Sequence, residues 1–146
     1  MIDSRTAPYG AFVLRASLGI VFLAHAGLKI FVFTPAGTVG FFQSIGLLGL
    51  FAYATIGAEL VAGIALLAGL YTRFVSVAMI PILAGTIIFV HGANGWQFGA
   101  EGGGREYPAF LIAACVTQAL LGDGAFSSSQ KLPNGIRFSS LKSAWG

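Results

Sequence analysis

The chain has 146 residues, 56% of them hydrophobic and only 9% charged, with a mean hydropathy of +0.84. That is too little polar surface to cover a soluble globule, so a soluble enzyme is excluded and any chemistry sits inside a membrane bundle, at its rim or on a partner. The net charge is +3 and the pI about 9.4, but the cations are spread along the chain as a topology signal, so nucleic acid is not an expected partner.

The first apolar run covers 10–33, longer and more continuous than the core of a cleaved signal peptide, and is read as a retained helix. The connection 34–46 carries Pro35, and its Val39, Phe41, Phe42 and Ile45 suit a short amphipathic helix at the membrane surface. A second span covers 47–70. The turn through Leu70, Tyr71, Thr72 and Arg73 is tight, so the second and third spans are antiparallel neighbours. The third span, 74–91, holds Pro81, which removes one backbone hydrogen bond and favours a kink. Connection 93–106 is glycine-rich, with Trp96, Gln97 and Phe98. It lacks the preceding strand and the GK[ST] of a phosphate loop, and is read as a flexible cap with Trp96 at headgroup level. The fourth span, 107–121, is the shortest. From 127 to 146 the chain turns polar and is expected to be a poorly ordered cytoplasmic tail. The fold class is therefore an all-α, polytopic membrane protein, a four transmembrane helix bundle over 1–126.

Arg5, Arg15, Arg73, Lys131, Arg137 and Lys142 lie near the N-terminus, the second connection and the tail, which places both termini in the cytoplasm. Small-residue stripes at Ala54, Ala58 and Ala62 and at Ala109 and Ala113 suit close helix packing in lipid. An internal echo, Gly19-x5-His25 and Gly85-x5-His91, leaves open a pair of degenerate helical hairpins with the two histidines facing each other. The lone Cys115 permits neither an internal disulfide nor a CxxC redox pair.

Glu59 is the most informative residue. Counted from Leu47 it lies roughly 18 Å below one membrane face, near the midplane, where an unpaired charge costs about 3 kcal/mol, so it must be paired or protonated. Arg15 and Lys29 sit toward the two ends of the first span, each close enough to an interface to snorkel. His25 lies roughly 10 Å from the outer face and His91 roughly 5 Å, so an Arg15–Glu59 pair and a His25–Glu59 hydrogen bond are both within reach in depth. Together Glu59, His25, His91, Lys29 and Arg15 make a candidate pocket for a small acid, a quinone headgroup or a proton path, with interhelical glue as the plain alternative. Glu106, Arg105 and Trp96 form its outer rim. Two histidines alone are a weak haem signal, no metal-ligand spacing is present, and no nucleophile sits on an elbow, so no catalytic or metal residue is assigned.

Four motifs in order, Arg15-x3-Gly19-x2-Phe22-x2-His25-x-Gly27-x-Lys29, Glu59-x3-Gly63 running into Gly69-x2-Thr72-Arg73, Gly104-x-Glu106-Tyr107-Pro108, and Gly122-x-Gly124-x-Phe126-Ser127, resemble the DoxX family over about residues 9–130. Two positions depart from its pattern, Asp123 where proline is usual and Ser129 where aspartate is usual. The resemblance implies a four-helix protein of the bacterial inner membrane, with relatives that serve membrane redox assemblies, including quinone-linked thiosulfate oxidation. It places Arg15, His25, Lys29, Glu59, Arg73 and Glu106 at the family's polar signature positions. The resulting expectation is a non-catalytic accessory subunit of a larger membrane oxidoreductase complex, with quinone the candidate ligand and haem disfavoured. A purely structural subunit and a small-solute or proton transporter are the alternatives.

Overall fold

The computed structural model describes residues 3–131. Helix α1 (Ala7–Gly27) begins with Pro8 in its first turn, where a missing N–H costs nothing, and runs on through a π-helical turn at Leu28–Val32. Helix α2 (Pro35–Ser44) is the short helix expected in the first connection. Thr34 caps it, its hydroxyl accepting from the Gly37 N–H at 3.2 Å, and Val39, Phe42 and Ile45 are half-buried. Helix α3 (Leu50–Ala68) stops at Gly69, whose φ of +69° is the left-handed conformation that ends a helix. Helix α4 (Thr72–Thr86) starts three residues later and continues through a second π-helical turn, Ile87–His91, and a 3-10 turn, Gly92–Asn94. Helix α5 covers Glu106–Leu121, and no strand occurs among the described residues.

Three of these helical runs, Ala7–Val32, Leu50–Ala68 and Thr72–Asn94, are long and apolar enough to cross a membrane. Helix α5 has 16 residues and a length of about 24 Å, shorter than the others, yet it completes the bundle. The four helices form a ring in chain order: α1 packs on α3, α3 on α4, α4 on α5, and α5 back on α1, the first and third of these contacts being the most extensive. Successive helices thus pair as hairpins. Large apolar side chains such as Val13, Ile20, Val61, Phe74, Phe110 and Leu120 point outward, a surface that suits lipid and not water.

Helices α1 and α3 pack most extensively, and of the expected alanine stripe on α3 Ala62 is buried in the core with Ala58 packed against it. Ala54 and Ala113 are exposed. Gly19 and Gly63 face each other, so that a Cβ on Gly63 would lie 2.9 Å from the Gly19 carbonyl oxygen.

Along the bundle axis the interior has three layers. Leu18, Phe22, Leu66, Met79, Leu83, Leu111 and Cys115 fill the middle with apolar atoms. Polar groups occupy both ends. At one end, where α1 begins and α5 finishes, Arg15 is fully buried, lies 5.4 Å from the Phe12 ring centroid, and donates from Nη2 to the carbonyls of Ala125 (3.2 Å) and Phe126 (3.4 Å). The Ala125 N–H donates to the Pro8 carbonyl at 2.8 Å, so both ends of the described chain lie at this end of the bundle. Ser127, expected to open a loose tail, is buried and donates to the Gly69 carbonyl at 2.8 Å. Residues 122–129 are therefore folded under the bundle, because the orphan carbonyls at Gly69, Ala125 and Phe126 need donors away from water. The rest of the expected tail, 132–146, lies outside the described residues.

Candidate functional site

At the opposite end, Glu59 is the middle residue of α3 and only 6% exposed. It is paired, and its partner is Lys29: Nζ donates to Oε1 at 2.8 Å and to Oε2 at 2.9 Å. Lys29 does not snorkel to the interface. A carboxylate fixed at mid-helix cannot reach water, whereas a four-carbon stem can reach it, and the attraction between them grows as the surroundings lose water.

His25, one turn before Lys29 on α1, makes no hydrogen bond to Glu59. Its Nδ1 lies 2.9 Å from the Val21 carbonyl oxygen. His91, closing the π-helical turn of the third span, places Nδ1 at 2.9 Å from the Gly103 carbonyl oxygen. A carbonyl can only accept, so Nδ1 is the donor in each ring, which leaves Nε2 as the nitrogen not engaged by that bond. Both histidines line one chamber with Lys29, Glu59, Thr86 and Tyr107, on an apolar floor that includes Phe22 and Met79. The chamber volume is about 90 Å³, room for roughly three waters. The Tyr107 ring lies nearly parallel to that of His25, with centroids 6.1 Å apart.

The glycine-rich connection that roofs this end is fastened. The Asn94 amide donates to the carbonyls of Gly102 (3.0 Å) and Gly103 (3.1 Å), and the backbone N–H groups of Arg105 and Glu106 donate to Gly95 (3.1 Å) and Trp96 (3.0 Å). Gly102 and Gly103 take φ of +77° and +73°, which explains the glycines and gives His91 its carbonyl partner.

The predicted residues thus separate into three groups. Glu59, Lys29, His25 and His91 come together. Arg15 does not: it belongs to the other end of the bundle, held by the carbonyls of Ala125 and Phe126, so the Arg15–Glu59 pairing is not formed. Among the rim residues, Trp96 and Glu106 line a second, open cleft of about 460 Å³ with Phe98, Tyr107 and Phe110, while Arg105 donates to the Gly92 carbonyl at 3.3 Å. Tyr107 is a wall of both spaces. Sequence reasoning passed over it as a helix start, although its place beside Glu106 at the depth of His91 was a usable signal.

The two π-helical turns were also missed. Lys29 lies within one and His91 ends the other. Such turns insert a residue without any compositional mark and are frequent at functional sites. They fall at different distances from the two echoed histidines, so the Gly-x5-His repeat does not extend to local geometry. Among the described residues, no group of three or more His, Cys, Asp or Glu side chains is placed to hold a metal ion.

A family model described as DoxX matches residues 10–92, which takes in Arg15, His25, Lys29, Glu59 and His91 but stops short of α5. The chain is also similar to a Bacillus subtilis (strain 168) protein named "Putative oxidoreductase CatD", with 35% identity over 113 residues, covering 77% of this chain and 79% of that relative. No solved structure matches the chain.

Proposed function

This chain belongs to the DoxX family, and we propose that it is an accessory subunit of a redox assembly in the bacterial inner membrane, where its chamber takes up and passes on protons for quinone-linked chemistry carried out with a larger membrane partner. One observation carries this reading: a two-oxygen Lys29–Glu59 ion pair and two histidines that donate from Nδ1 to backbone carbonyls line one small space. Ionisable groups inside a membrane are costly and mark ion or proton routes. The redox setting draws on the name of the Bacillus relative.

The chamber volume refines the ligand. Sites for drug-sized molecules run to about 300–1,000 Å³, so a space of about 90 Å³ suits water or a small acid, and a quinone ring would meet the chamber only at its mouth. The middle layer between the chamber and the arginine end is filled largely by apolar side chains, which favours proton exchange from one end over solute transport. In this reading both termini face the cytoplasm, in keeping with Arg5, Arg15 and Arg73 at the arginine end and with the Pro8–Ala125 hydrogen bond that joins the two ends of the described chain there.

The test is turnover of the native assembly. Glu59→Gln and a His25→Ala, His91→Ala double variant should co-purify with partners in unchanged stoichiometry while quinone-dependent turnover falls at least tenfold. Unchanged turnover with normal assembly overturns the proposal and leaves a purely structural subunit.

A further inference from the structure

The cleft next to the chamber has a different chemistry. Trp96, Phe98, Tyr107 and Phe110 present rings around a single carboxylate, Glu106. Among the described residues no cation pairs with Glu106: the adjacent Arg105 turns its guanidinium to the Gly92 carbonyl, and the ion pair formed is Lys29–Glu59. A carboxylate in the first turn of α5 is favoured by the helix dipole, which accounts for its sign but not for the rings about it.

The cleft is built and not a chance gap between mobile side chains. The Glu106 N–H donates to the Trp96 carbonyl at 3.0 Å, holding the two residues side by side. Gly104 lets the loop press against itself, since a Cβ there would fall on the carbonyls of Trp96 and Gln97. Phe98 and Tyr107 form a corner, with centroids 5.6 Å apart and planes at 60°.

Aromatic faces and a carboxylate together select an organic cation. The cleft also has a direction. Phe110 is one turn further along α5 than Glu106, about 6 Å deeper on the axis, and is 69% exposed on the apolar outer surface. A ligand with a cationic head and an apolar chain matches this run from carboxylate to exposed phenylalanine. We infer that the cleft binds an ethanolamine phospholipid, its ammonium between Glu106 and the rings of Trp96 and Tyr107 and its acyl chain along Phe110.

The full chain reconstituted in vesicles containing equal amounts of ethanolamine and glycerol phospholipids, with matched acyl chains, tests this by native mass spectrometry of retained lipid. The wild-type chain should retain the ethanolamine lipid about tenfold over the glycerol lipid, and Glu106→Gln should remove the preference. A second readout leaves the cleft intact: in a Trp145→Phe background Trp96 is the sole tryptophan, and its emission should shift between pure ethanolamine and pure glycerol lipid vesicles. Equal retention of the two lipids, a preference that survives Glu106→Gln, or identical emission in the two vesicles overturns the assignment. Redox turnover plays no part in these readouts, so they stand apart from the proposed function.

Discussion

Lys29 Nζ sits within 2.9 Å of both carboxylate oxygens of Glu59, tying the π-helical end of the first span to the middle of α3. Both side chains are largely buried, so removing one partner strands the other. Lys29→Met or Glu59→Leu alone should cost about 3–5 kcal/mol, while the double variant should lie near or above wild type. Thermal unfolding in detergent measures the cycle, and a double variant whose loss equals the sum of the two single losses would show the ion pair to be incidental.

Asp123 and Ser129, the two departures from the DoxX pattern, touch: Ser129 Oγ donates to Asp123 Oδ2 at 2.5 Å. Asp123→Ala should therefore cost about 1–3 kcal/mol, and adding Ser129→Asp should recover most of it. Ser129→Asp alone should destabilise, because two carboxylates would meet. Unfolding of the four chains checks the sign of each step.

Two glycines should respond in opposite ways to alanine. At Gly69 the φ of +69° disfavours any side chain and a Cβ would fall on Arg15 Nη1, so Gly69→Ala should lose more than 2 kcal/mol and loosen 122–129. At Gly85, inside α4, a Cβ meets nothing within 4 Å, so Gly85→Ala should be neutral or gain up to about 1 kcal/mol. Thermal melts together with hydrogen exchange over 122–129 distinguish the two.

The hydrogen bonds of His25 and His91 to Val21 and Gly103 fix which nitrogen carries the proton. Nitrogen-15 spectra of the ring nitrogens should report Nδ1–H in both neutral rings. An Nε2–H tautomer in either would count against the proposed proton route.

Much of this was legible from residue order. Apolar run lengths gave the spans, the four-residue stretch from Leu70 gave the antiparallel turn, and a carboxylate amid apolar residues gave Glu59. Counting residues measures depth, and depth brought His25, Lys29, His91 and Glu59 to one end of the bundle. It says nothing of rotation about each helix axis, which is why Ala54 was expected inside and Gly19 was not seen as the contact. Nor does depth choose among partners. Arg15 and His25 were the partners within reach of Glu59 in depth, yet Lys29 pairs with it, while the loop 122–129, more than a hundred residues away, holds Arg15 through its carbonyls. Composition marked that loop as the start of a tail, because its serines bond to backbone that no periodicity reveals.

The apolar belt of Leu18, Phe22, Leu66, Met79, Leu83, Leu111 and Cys115 has an electrical consequence. An insulating slab takes most of the voltage applied across it, and moving one elementary charge through 100 mV requires about 2.3 kcal/mol. Under the proposed function, charge arriving at Glu59 from the histidine side would cross only part of the field, and the protein would not short-circuit the membrane around it.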